Sequence, residues 1–324
     1  MPRLVRSQVA LGIVLTVISA FAFGSGALFA KPVYGAGVGW QEFMAWRFLI
    51  GAAAAWAWLA AYPPARAGLR AMNRRTVIVA IALGVLYTGN AGTYYAGLET
   101  VSASLAALMV YTYPAIVAVI SLQVGRPLEG RRAWLALGIA LIGVALAVGN
   151  IGGAPPPILG LLLIGVSPVI YSVWIVLSAR LSGERRTDVG RDAGAGANPT
   201  AAGAVMLSAT AVSYWLLALV LGRPVMPAQV PAAAWLGIVG VGLVSTFVAV
   251  QAFYAGAHRI GAARASLVST VEPIWTIVLA TLLFQESLGP IQLVGGAMIL
   301  VGVIIAQTGG GASRTASELR LADE

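Results

Sequence analysis

The sequence predicts an all-α integral membrane protein of ten transmembrane helices, arranged as two inverted five-helix repeats. Three observations predict it. Apolar residues make up 59% of the 324 residues and charged residues only 10%, where a soluble domain carries about 25% charged residues. The apolar residues gather into ten runs, most of them long enough to cross a bilayer. A stretch of the first half also aligns without gaps on a stretch of the second, with opposite charge bias at equivalent loops.

The runs cover residues 8–30, 38–61, 76–98, 101–122, 133–148, 157–179, 200–221, 232–256, 262–284 and 288–307. Each must satisfy its own backbone hydrogen bonds in lipid, so each reads as a helix. The first begins after Arg3 and Arg6 but is longer than a signal-peptide core and lacks a good cleavage site, so it reads as a retained helix. Orientation follows from nineteen arginines and one lysine. With the N-terminus cytoplasmic, seventeen of these twenty charges fall inside, Lys31 and Arg223 fall outside, and Arg47 falls within the second run. Both termini are therefore expected in the cytoplasm. The same asymmetry accounts for the net charge of +9, with no nucleic-acid partner needed. There is no cysteine and a single histidine, His258, which leaves no thiolate nucleophile and no metal cluster. No cofactor is expected, and an intramembrane enzyme is disfavoured.

A shift of 159 residues lays 93–148 over 252–307 with 13 identities in 56 positions. Tyr95-Ala96-Gly97 falls on Tyr254-Ala255-Gly256, and Pro114 falls on Pro273. Five helices per half is odd, so the second half enters the membrane upside down. The charges agree: the loop with Arg126, Arg131 and Arg132 is basic, and its partner around Glu286 has no Arg or Lys. Inverted repeats of this kind are found in many secondary transporters. The repeats are read as 8–148 and 149–307, with a polar, Gly-rich cytoplasmic linker at about 180–199 and a tail at 308–324.

An ionisable side chain within a span costs about 2.5–3.5 kcal/mol on insertion scales, so it calls for a functional hypothesis. Glu272 lies inside the ninth run beside Pro273, which is expected to kink the helix and free the carbonyl of Ser269. A carboxylate beside a free carbonyl suits a proton, a cation or a substrate ammonium. At the equivalent point of the fourth run stand Tyr113 and Pro114, with Tyr111 nearby and the Val110 carbonyl freed. The two kinked helices are expected to meet at the midplane, with Tyr113 and Glu272 facing one cavity. Arg47 either binds an anionic group or braces neighbouring helices; Glu42, five residues earlier, is not at pairing distance on a helix. Tyr171 and Trp174 share one helical face, and Tyr94 and Tyr95 end the third run; each is a candidate cavity residue or an interfacial anchor. Gly138, Gly143, Gly295, Gly296 and Gly302 permit close helix contact, as a scaffold or a dimer face.

In its second run the chain carries Trp46-Arg47-Phe48-Leu49. The second half carries Val271-Glu272-Pro273-Ile274, then Phe284-Gln285-Glu286-Ser287-Leu288, then Gly295-Gly296-Ala297-Met298-Ile299-Leu300-Val301-Gly302. In order and spacing these resemble the "RF", "EP", "gE.l" and closing "G..li..G" elements of the EamA-type ten-helix transporters of the drug/metabolite transporter superfamily. The resemblance covers about residues 10–307. Gly125-Arg126 departs from it, standing where an acidic residue is common. The resemblance implies export or exchange of a small metabolite, often an amino acid, across the cell (inner) membrane. Multidrug export of lipophilic cations is the alternative, and a channel or a non-transporting sensor lies outside that class. No phosphate-binding loop is present, so transport is facilitated or driven by a proton or solute gradient.

Overall fold

A computed structural model describes residues 2–124, 130–149, 156–181, 199–260, 268–269 and 271–308. Of the expected linker at about 180–199 and tail at 308–324, residues 182–198 and 309–324 lie outside the described residues, while 180, 181, 199 and 308 are helical. All regular structure among the described residues is helical. Six helical stretches are long and apolar enough to cross a membrane: Val9–Gly35, Trp40–Ala61, Arg74–Leu98, Ile158–Leu177, Thr200–Val220 and Ala232–Phe253. Four shorter apolar helices lie at Ala103–Val117, Trp134–Ala147, Val271–Phe284 and Pro290–Ile305.

The first run does not end at Ala30. It forms α1 (Pro2–Gly24) and α2 (Gly26–Gly35), with a break at Ser25, whose hydroxyl donates to the Phe21 carbonyl at 2.7 Å. The second run is α3 (Trp40–Ala61). The arginine-rich segment after it, expected as a loop, begins with a short helix α4 (Pro63–Arg70). Proline at the first helical position is pre-set for this start, and Ala65 is buried while Arg66 and Arg70 face out. Asn73 caps α5 (Arg74–Leu98), accepting from the Thr76 amide at 2.8 Å. The fourth run is split into α6 (Ala103–Val110) and α7 (Tyr113–Val124), because Pro114 has no amide to give the Val110 carbonyl.

The remaining helices are α8 (Gly130–Gly149), α9 (Ile158–Leu181), α10 (Pro199–Val220), α11 (Trp235–Gly242), α12 (Ala249–Ile260), α13 (Val271–Phe284) and α14 (Pro290–Thr308). Between α11 and α12 the eighth run widens into a π-helical turn at Leu243–Val248, which periodicity alone does not foretell. One expectation at α13 fails. The Ser269 carbonyl is not freed by Pro273: it accepts from the Glu272 amide at 2.9 Å, a bond one residue shorter than the helical one.

The inversion is visible in the packing. Helices α8 and α14 are repeat equivalents and run antiparallel: a Cβ on Gly143 would sit 2.5 Å from the Gly295 carbonyl, and one on Gly302 only 2.7 Å from the Ala136 carbonyl. The shift of 159 converts each contact into the other. Helices α3 and α10 are also equivalent and antiparallel, joined by Trp56 Nε1 to Ser208 Oγ at one end and Trp215 Nε1 to the Ala45 carbonyl at the other. The pair α5–α9 is repeated as α12–α1: Ser167 Oγ lies 3.3 Å from the Asn90 carbonyl, and Ser19 Oγ donates to the Ala249 carbonyl. Equivalent helices lie antiparallel only when a twofold axis perpendicular to them relates the halves. Gly143, Gly295 and Gly302 are thus used within the chain, whereas Gly138 has nothing within 4 Å of its Cβ position.

The outer surface is apolar along the helices. Leu135, Leu141 and Ile142 of α8, Leu159, Leu162 and Val166 of α9, and Val212, Leu216 and Leu219 of α10 are all exposed. A surface of that character needs lipid, not water, around it.

Candidate functional site

A cavity of about 110 Å³ lies where the broken helices meet. Glu272, Tyr113, Tyr111, Tyr95, Tyr171 and Arg47 all line it, together with Pro273, Val110 and Tyr94. Trp174 and Pro114 are not among the lining residues. Trp174 stands behind the wall, its ring stacked on that of Tyr171 with centroids 5.7 Å apart. Pro114 is buried and acts through the kink between α6 and α7.

Arg47 is 4% exposed. Its Nε donates to Thr246 Oγ1 at 2.8 Å, and Nη2 reaches the Ser245 carbonyl at a marginal 3.5 Å. The guanidinium carbon lies 4.5 Å from the Tyr95 ring centroid and 5.0 Å from that of Phe48, so two aromatic faces share in holding the cation. Glu42 does not pair with it; it pairs with Arg223 at 2.9 Å. Among the described residues no carboxylate lies within ion-pair distance of Arg47. A guanidinium has five donors, and only one of these bonds is strong. The bracing that the sequence allowed is present, with Nη1 also 4.0 Å from Met44 Sδ; Arg47 lines the cavity and has more N–H donors than these contacts use.

Glu272 sits in the first turn of α13 and is half-buried. Among the described residues nothing donates a hydrogen bond to its carboxylate. The backbone around it is fixed closely: a Cβ on Gly24 would lie 3.0 Å from the Glu272 carbonyl, and Thr276 Oγ1 lies 2.9 Å from the Gly24 carbonyl and 3.1 Å from that of Glu272. At the equivalent point, Ser172 Oγ lies 3.1 Å from the Tyr113 carbonyl and 2.6 Å from that of Pro168. The twofold axis thus brings Tyr113 and Glu272 to one cavity from opposite helices.

The wall between these charges is aromatic. Tyr111 and Tyr113 meet edge to face with centroids 5.5 Å apart, and Tyr113 meets Tyr171 at 4.8 Å. Tyr87 tilts against both Tyr171 and Trp174. The sequence reading missed Tyr87, Asn90, Ser167, Thr276 and Phe23, which also line the cavity. A signal for two of them was present. Residues 87, 90, 91, 94 and 95 fall on one stripe of a 3.6-residue helix, and all five line the cavity. Asn90, polar within an apolar run, marks that stripe. Its Oδ1 accepts from Ser167 Oγ at 2.8 Å, leaving the amide nitrogen for the cavity.

The arginine-poor end of the bundle is cross-linked. Lys31, expected on the outer side, donates to the carbonyls of Leu98 at 3.0 Å and Val101 at 2.7 Å. Glu286 caps α6, accepting from the amides of Ala103 at 3.0 Å and Ser104 at 2.9 Å and from Ser104 Oγ at 2.8 Å. A left-handed Gln285, with φ of 54°, ends α13 and turns the chain toward this contact. Glu99 accepts from the Trp40 amide at 2.7 Å; partial burial still holds its carboxyl above the usual range. On this side α6 packs against α13, while α7 packs on α8 and α9.

Comparison with known proteins agrees with this architecture. The description of the EamA-like transporter family matches twice, over residues 10–149 and 158–308. An uncharacterized transporter of Archaeoglobus fulgidus is 28% identical over 228 residues, covering 70% of this chain and 75% of its own. One from Synechocystis is 25% identical, covering 72% and 68%. The uncharacterized transporter YcbK of Bacillus subtilis is 28% identical, covering 62% of each chain. A protein crystal structure superposes with a TM-score of 0.63 over 91% of this chain and 96% of its own, at 20% identity, which bears on the fold alone. The chain is a multi-pass membrane protein and belongs to the EamA-like transporter family.

Proposed function

We propose that the protein carries a small zwitterion, such as an amino acid, by alternating access without ATP, exporting or exchanging it across the cell membrane. One observation carries the reading: a buried guanidinium and a carboxylate line the same cavity, and among the described residues neither has an ion-pair partner. Arg47 takes the substrate carboxylate in a charge-assisted hydrogen bond. Glu272 takes the ammonium, and the tyrosine wall accommodates the remainder. Proton or counter-solute coupling acts through Glu272, whose charge sets what the cavity holds. The ten apolar runs are ten spans, divided at about 148/149, with both termini cytoplasmic. Reporter fusions after Ala154 and near Gly194 are expected to report opposite sides; same-side signals contradict the orientation.

In this orientation the contacts of Lys31 and Glu286 lie on the outer side of the cavity. A second reading, export of lipophilic cations, draws on the ring-lined wall and the single carboxylate. Counterflow in proteoliposomes with amino acids, their decarboxylated amines and lipophilic amine drugs separates the two. Flux of amino acids and not of amines supports the zwitterion; flux of amines alone favours the cation.

A further inference from the structure

The π-helical turn at Leu243–Val248 has no counterpart in the sequence reading and lies directly behind Arg47. Thr246 Oγ1 donates its only proton to the Val241 carbonyl, five residues back, at 3.0 Å. Its lone pairs are thereby turned outward, and one accepts from Arg47 Nε at 2.8 Å. The Ala249 amide reaches back five residues to the Val244 carbonyl, and the neighbouring Ser245 carbonyl meets Arg47 Nη2. Two glycines make the approach possible. A Cβ on Gly51 would lie 2.7 Å from Thr246 Cγ2, and one on Gly242 would lie 2.8 Å from Ile50 Cγ2. The turn therefore packs closely on α3, with a glycine on each side of the contact. Single-turn π insertions of this kind recur at functional sites in other proteins.

We infer that Thr246 is a positioning residue that sets the specificity of the site for a carboxylate. By holding Nε, with Nη2 at the Ser245 carbonyl and Nη1 near Met44 Sδ, it fixes the plane of a guanidinium that lines the cavity and has N–H donors beyond those contacts. A guanidinium recognises a carboxylate through a planar fork, so a freely rotating one loses directional preference while keeping its charge. The consequence is selective: carboxylated solutes lose affinity, and amines lacking the carboxylate do not. This inference rests on the zwitterion reading above.

The test uses the full chain in proteoliposomes with leucine, methionine, phenylalanine, serine and lysine, each paired with its decarboxylated amine. The pair that binds the parent protein most tightly is followed by competition. Thr246→Val, which keeps the shape and removes the hydroxyl, is expected to weaken the amino acid by about tenfold and leave the amine unchanged. Thr246→Ser, which keeps the hydroxyl, is expected to stay within about twofold of the parent. Thr246→Ala makes the same prediction as Thr246→Val and serves if the latter does not insert. A parent-like ratio of amino-acid to amine affinity in both hydroxyl-free variants overturns the inference. So does an equal loss for both ligands that Thr246→Ser fails to restore. Arg47→Gln separates the two levels. If it changes the ratio and the Thr246 variants do not, only the positioning role falls. If it leaves the ratio unchanged, or if no pair binds the parent, the zwitterion reading falls with it.

Discussion

Arg47→Gln is expected to raise the half-saturating concentration of a zwitterionic solute by about 30-fold or more, equivalent to about 2 kcal/mol or more. The size follows from burial. The side chain is 4% exposed, and in low dielectric a charged hydrogen bond that loses one partner leaves the other uncompensated. Fold stability is expected to suffer less than binding, because within the protein the guanidinium is held by one strong hydrogen bond and two aromatic faces. Arg47→Lys is not expected to restore binding. A lysine keeps the charge but cannot both donate to Thr246 and present a planar fork to a carboxylate. Substrate binding at parental affinity in Arg47→Gln would contradict the assignment.

Glu272→Gln is expected to insert, remain monodisperse in detergent and lose at least about tenfold of flux, since it removes the charge that meets the ammonium. Glutamine preserves shape and hydrogen bonding but cannot titrate. Whatever flux survives should therefore lose the pH dependence of the parent. Neighbouring backbone contacts through Gly24 and Thr276 do not involve the carboxyl group, so folding has little to lose. Flux equal to the parent at every pH would reject a role for this side chain.

Much of this site was legible in the sequence because charge in an apolar run is conspicuous. Arg47 and Glu272 stand out on that ground alone, and the repeat ties Glu272 to Tyr113. The inverted halves were legible too, since equivalent loops carry opposite charge bias. Asn90 and Tyr87 were overlooked although they obey the same logic, an uncharged amide being less obvious than an ion. The π turn was not legible. It adds about one residue to a turn within a run that is mostly apolar, and Ser245 and Thr246 there do not by themselves mark a change of helical pitch. The role of Glu286 was equally hidden, for its partners at Ala103 and Ser104 are more than 180 residues away. The fate of the Ser269 carbonyl was misread because proline dictates which amide is missing, not whether a neighbouring amide takes its place.

The central claim is that the cavity between the α6–α7 break and the first turn of α13 is the substrate site. The chain has no cysteine, so single cysteines report without background. Ala91 and Ala107 line the cavity from α5 and α6, while Val85 is 56% exposed on the apolar outer surface. A small charged thiol reagent should label Ala91→Cys and Ala107→Cys but not Val85→Cys, and a transported zwitterion should slow the labelling at both cavity positions. Failure of the cavity positions to label, or labelling that a transported substrate leaves unchanged, would place the substrate path elsewhere in the molecule.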